Sequence, residues 1–145
     1  MVAQVDVLQA RVRAAGARLG ASVYGIAASR PEEIAQDIPR MAQHLDFLSP
    51  MLYPSHWGKG EYGITDPNRS PGPITTKSLA DFQTAAADSP AALVPWFQDF
   101  TLGISYGETE VRAQLDAAAE LGVKDFLLWD AACTYTSDAL DSQKT

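Results

Sequence analysis

A chain of 145 residues, 46% hydrophobic and 20% charged, has the profile of one globular domain able to bury a sizeable core. Its net charge of -7 argues against a nucleic-acid partner, which needs clustered Lys and Arg, and against an anionic membrane surface. A neutral partner is compatible with that charge, though an acidic balance is also an ordinary route to solubility.

Taken in chain order, Val5, Leu8, Val12, Ala15 and Leu19 recur at helical steps and predict an amphipathic helix over 3–19 ending at Gly20. That segment has neither the apolar region nor the cleavage site of an export signal, and no apolar run reaches 18 residues. As written, the sequence suits the cytoplasm; a longer relative with its own leader would be exported. Residues 21–27 read as a buried strand. Ser29 followed by Glu32 resembles a capping box opening a helix over about 31–43. The stretch 45–53 is apolar on both faces, as strands of a doubly covered parallel sheet are.

Residues 54–76 are rich in Pro, Gly, Asn and Ser and read as a long loop, which inside a compact domain is usually functional. A helix from about Leu79 to Ala87 leads to a third strand at 92–100. A second irregular loop, 101–107, precedes a helix over 108–121 with Glu108 and Glu110 in its dipole-favoured first turn. Gly122 ends it, and 123–130 form the fourth strand. The lone Cys133 permits no intrachain disulfide and is expected to fill space after that strand. Residues 1–136 form the domain and 137–145 a polar, fraying tail.

The order αβαβαβαβ predicts an α/β fold with a parallel sheet: half of a (β/α) TIM barrel with about four βα units, or a four-stranded open sheet. The long loops and the aromatic residues follow the strands, at the end where barrels build their sites, which favours the half barrel.

Two segments are specific. DFLSPMLYPSHWGKGEYG over 46–63 and VPWFQDF over 94–100, with FLLWD at 126–130, resemble the putative glycosyl hydrolase domain family. The resemblance implies a sugar-cleaving barrel, hydrolysis of O-glycosyl bonds, and a chain that supplies strands five to eight. The family's fourth-strand F-D-Y-V-R-F-P motif, where such barrels commonly carry a nucleophile, has no counterpart here. Ser22 stands where family members tend to have Asp.

Glycoside cleavage generally uses two carboxyl groups flanking the bond. Asp99, ending an apolar strand, is the candidate catalytic acid; a strand-end cap for the following loop is the other reading. Tyr53, His56, Trp57 and Tyr62 are candidates for sugar contact, by stacking or hydrogen bonds, or else pack the loop onto the rim. Trp96, Gln98 and Asp130 complete the candidate set, with alternation along the strand placing Trp96 and Gln98 on one face and Asp99 on the other unless the strand has ended. No cofactor is expected, and two histidines on separate elements fall short of a metal ligand set. No G-x-G-x-x-G turn supports a nucleotide site. Two functions fit: a glycoside hydrolase-like domain for a poly- or oligosaccharide, inactive by itself, or a non-catalytic carbohydrate-binding or structural module. Either way an unclosed barrel calls for a homodimer or for the N-terminal half it lacks.

Overall fold

The computed structural model describes residues 2–141. Four strand positions form one all-parallel sheet: β1 (Gly20–Tyr24), β2 (Phe47–Met51), the pair β3 (Ala92–Leu93) and β4 (Trp96–Gln98), and β5 (Leu127–Trp129). The spatial order is β1-β2-β4-β5, with β3 also on β2, and the sheet does not close. β3 and β4 keep one register against β2, Phe47 opposite Ala92 and Met51 opposite Trp96. They are thus a single predicted strand interrupted at Val94-Pro95, where proline has no N–H to give the ladder.

One face of the sheet is covered. Val23, Leu48 and Phe97 point into a core shared with Ile38, Leu45, Leu52, Leu79, Phe82 and Val111. Alternation sends their strand neighbours Ser22, Tyr24, Met51, Trp96 and Trp129 to the opposite face, which would be the inside of a barrel.

The helices depart from expectation at their ends. α1 (Val2–Ala14) stops five residues early, because Gly16 adopts φ +73° and turns the chain toward β1. Leu8, expected on its buried stripe, is exposed. The helix predicted over 31–43 is two short ones, α2 (Pro31–Ile34) and α3 (Ile38–Ala42). Ala35 is left-handed at φ 52° and Asp37 caps the restart, accepting from Arg40 N–H at 3.2 Å. α4 (Pro71–Ala85) begins eight residues before Leu79. Pro71 and Pro73 read as loop in the sequence, yet the first helical turn needs no N–H donors and tolerates both. α5 (Glu108–Glu120) lies where expected, with Glu110 reaching back to Gly107 N–H at 3.0 Å.

Residues 54–70 are not featureless. Three single 3-10 turns, Pro54–His56, Glu61–Gly63 and Pro67–Arg69, fold them onto the sheet. The tail is likewise more ordered than expected: Ser137–Leu140 form a 3-10 turn, Ala139 is buried in the core, and Arg112 Nη2 donates to Asp141 O at 2.5 Å. Residues 142–145 lie outside the described residues. Cys133 is exposed at a left-handed turn (φ 54°) rather than filling space. No helix among the described residues is long and apolar enough to cross a membrane.

The start of the sheet hangs on Asp46. Its carboxylate accepts from Leu19 N–H at 2.7 Å and from Arg13 at 3.3 Å. The Leu19 bond, helped by Arg13 and Arg18, holds the Asp46 carboxyl below its ordinary value. Ionised Asp46 therefore favours the fold above the ordinary carboxylate range, and that contribution is lost as pH falls through the lowered folded value. Urea unfolding of Asp46→Asn is expected to show a weaker dependence on pH through the acid limb than the parent chain. Parallel acid limbs for the two proteins would remove Asp46 from the account.

Candidate active site

The trailing ends of β1 and β2 enclose a cavity of about 250 Å3, lined by Tyr24, Gly25, Ile26, Met51, Tyr53, His56 and Trp57. Gly25 is required there: a Cβ at this position would sit 2.4 Å from the Met51 carbonyl oxygen and 3.5 Å from the Trp57 ring. Pro54 opens the turn that swings His56 and Trp57 over the strand ends. Tyr53, His56 and Phe100 then pack edge to face, with Tyr53 5.2 Å from His56 and 5.4 Å from Phe100. Tyr53 is buried, and burial pushes its phenol up to about 12, so the hydroxyl stays a neutral donor at any physiological pH.

Tyr62 stands one step back. It meets Trp57 at 5.3 Å, donates its hydroxyl to Asp81 on α4 at 2.5 Å, and adopts φ 54°. Burial and the Asp81 bond raise its phenol well above the ordinary tyrosine value. It borders a smaller cleft with Ser29, Arg30 and Glu61, in which Arg30 Nη2 bonds both Glu61 oxygens at 3.2 Å. That ion pair ties the loop after β1 to the loop after β2, the two walls of the larger cavity.

On β4 the alternation resolves plainly. Trp96 lies on the uncovered face: its Nε1 donates to Ser22 Oγ at 3.0 Å, two strands away, and its ring meets Trp129 at 5.9 Å. The indole must therefore cross β2. Trp129 is 44% exposed. Gln98 is fully buried and presents nothing to a ligand: Oε1 accepts from Ser55 N–H (3.0 Å) and Ser55 Oγ (2.8 Å), and Nε2 donates to Phe100 O (2.9 Å). The strand has ended before Asp99. That carboxylate is buried and accepts from both Thr136 N–H at 2.8 Å and Thr136 Oγ1 at 2.6 Å. Asp130, at the neighbouring strand end, accepts from Thr134 N–H at 2.9 Å. Both acids thus hold the segment that follows β5.

All the candidates lie at the trailing ends of the strands. Tyr53, His56 and Trp57 share the cavity, Trp96 lies beside it on the uncovered face, and Tyr62, Gln98, Asp99 and Asp130 buttress the loops. Sequence reasoning missed Tyr24, Gly25, Ile26 and Met51. The rule that barrel sites form after strands, applied to β1 as it was to β2, would have found the first three. Among the described residues no three His, Cys, Asp or Glu side chains converge as metal ligands would.

An open parallel sheet with helices on one face and an aromatic rim at the strand ends defines a partial TIM-like barrel. The chain belongs to the family described as putative glycosyl hydrolase domain, whose model matches residues 3–135. The fold is also similar to the solved PgaB (BpsB) glycoside hydrolase domain from Bordetella bronchiseptica, with a TM-score of 0.58 at 16% identity over 79% of this chain. The match covers 31% of that chain, so this protein spans about a third of its length. No curated protein matches.

Proposed function

We propose that this chain binds a poly- or oligosaccharide at the strand-end rim and does not hydrolyse it unaided. The observation that carries the reading is the cavity itself: aromatic walls from Tyr24 and Trp57 beside polar tips from Tyr53 and His56 suit sugars, whose C–H faces stack and whose hydroxyls need oriented partners. Membership of the family supports a carbohydrate ligand over others.

Inactivity of the chain alone follows from its acids. Cleavage needs two carboxyl groups about 5 Å apart for retention, or about 6.5–9.5 Å for inversion, each free to meet the bond. Asp99 and Asp130 are both engaged by the segment 134–136. In this reading Asp99 is the chain's candidate acid, and hydrolysis waits on its release from Thr136 and on a second carboxylate, which Ser22 does not supply on β1.

Two assays on the purified chain test this. A glycan panel followed by tryptophan fluorescence is expected to give saturable binding, and a panel of aryl glycosides no chromophore release. Turnover that vanishes in Asp99→Asn would overturn the inactivity, and the absence of any bound glycan would overturn the carbohydrate ligand.

A further inference from the structure

The cavity at the ends of β1 and β2 has a property that the general reading does not use. None of its seven lining residues carries a fixed charge. Ile26 and Met51 supply apolar wall, Tyr24 and Trp57 aromatic rings, Gly25 backbone, and Tyr53 and His56 further polar groups. The nearest ionic groups in the adjoining cleft, Arg30 and Glu61, neutralise each other at 3.2 Å.

Tyr53 gives a second, independent pointer. It is 6% exposed and lines the cavity, and burial alone accounts for the rise in its phenol, with no hydrogen bond contributing. Its hydroxyl makes no hydrogen bond to another described residue, unlike Tyr62, which reaches Asp81, and Tyr106, which donates to Asn68 O at 3.0 Å. The Tyr53 hydroxyl is therefore a free donor at the cavity, available to an acceptor on a ligand. At about 250 Å3 the space is below the ~300–1,000 Å3 of drug-sized sites, so it suits a single ring.

Resting on the carbohydrate reading above, we infer that this cavity is a subsite for one uncharged pyranose ring, docked by its C–H face on Trp57 and Tyr24 and accepting a hydrogen bond from Tyr53 Oη. Sugar acids and amino sugars are disfavoured, because a carboxylate or ammonium against these walls loses water and meets no counter-charge. A neutral hydroxyl or acetamido group bears no such penalty. The ring would sit against Gly25 and Met51, at the strand ends.

The test measures dissociation constants of the whole chain for matched tetrasaccharides: neutral gluco-, galacto- and N-acetylhexosamine series, an oligogalacturonate and a chitosan oligomer. A neutral series is expected to bind at least about tenfold more tightly than the charged ones, and Tyr53→Phe, which keeps the ring packing on His56 and Phe100, to weaken it roughly tenfold. Charged oligosaccharides bound as tightly, with the same loss in Tyr53→Phe, would overturn the uncharged specificity and leave the carbohydrate reading standing. Neutral binding indifferent to Tyr53→Phe would remove the ring from this cavity. Binding of no tetrasaccharide at all would overturn both.

Discussion

Gln98→Leu is expected to lower the unfolding free energy by about 3–4 kcal/mol, the largest loss from any single rim substitution. The side chain is fully buried, and it satisfies three groups that leucine would strand: the Ser55 N–H, the Ser55 hydroxyl and the Phe100 carbonyl. Each abandoned group costs about 1–3 kcal/mol when water cannot reach it, and Ser55 is only half-buried, which keeps the total near the lower bound. The reason glutamine stands here lies in the sheet. Leu52 N–H still donates to Trp96 O at 3.1 Å, but then β2 turns away at Pro54 and leaves the end of β4 without a strand neighbour on that side. The carboxamide of Gln114, from α5, takes the strand's place: its Oε1 accepts from Gln98 N–H at 3.0 Å and its Nε2 donates to Gln98 O at 2.8 Å. Two glutamines therefore finish the sheet where its ladder fails, one through the backbone of β4 and one through the turn that carries His56 and Trp57. Urea unfolding of Gln98→Leu checks the magnitude, and a loss below about 1 kcal/mol would mean the turn finds other partners. The same variant is expected to weaken sugar binding, although Gln98 touches no ligand, because Ser55 sits between it and the cavity residues.

That division between supporting and presenting residues was only partly legible in the sequence. The strands were, since Leu48, Pro50, Phe97 and Leu128 are apolar between neighbours that are themselves mostly apolar, and the runs through Leu48 and Phe97 are followed by Gly- or Pro-containing loops. So was the clustering of Tyr53, His56 and Trp57, which are nearly adjacent in the chain and need only one turn to share a cavity. Gln98 and Asp99 were not. Their residue types suit both sugar contact and backbone support, and the partners that decide between the two, Ser55 and Thr136, lie 43 and 37 residues away. α4 hid behind Pro71 and Pro73 because proline signals a break in a helix interior and a start in its first turn, and sequence position alone does not separate the two. Tyr24 was overlooked because it closes a strand in which only Val23 is buried outright, so nothing in the pattern marks it as part of a wall.

The purified chain is expected to run as a dimer or larger assembly in light scattering, with its uncovered sheet face at the interface and a second copy as the occupant. Helices and loops cover one face, leaving Trp129 44% exposed on the other. At the leading ends of the strands that face also holds a cavity of about 430 Å3 lined by Phe47, Ala92, Val94 and Leu127 with Arg18 and Asp125 at its margin. In a closed barrel these positions would be filled by side chains from the remaining strands. The two outer strands differ in how open they are: Tyr24 N–H on β1 donates to Gln36 Oε1 at 2.9 Å, whereas β5 pairs with β4 alone. An apolar face beside an unpaired strand edge is the combination that drives association. Trp129→Lys places a charge on that face next to β5, at a position exposed enough to spare the fold, and is expected to shift the assembly toward monomer by tenfold or more in dissociation constant, about 1.4 kcal/mol. Circular dichroism unchanged from the parent would show that the shift comes from the interface. A parent chain that stays monomeric at high concentration would mean the uncovered face tolerates water, and that the half barrel needs no second copy to persist.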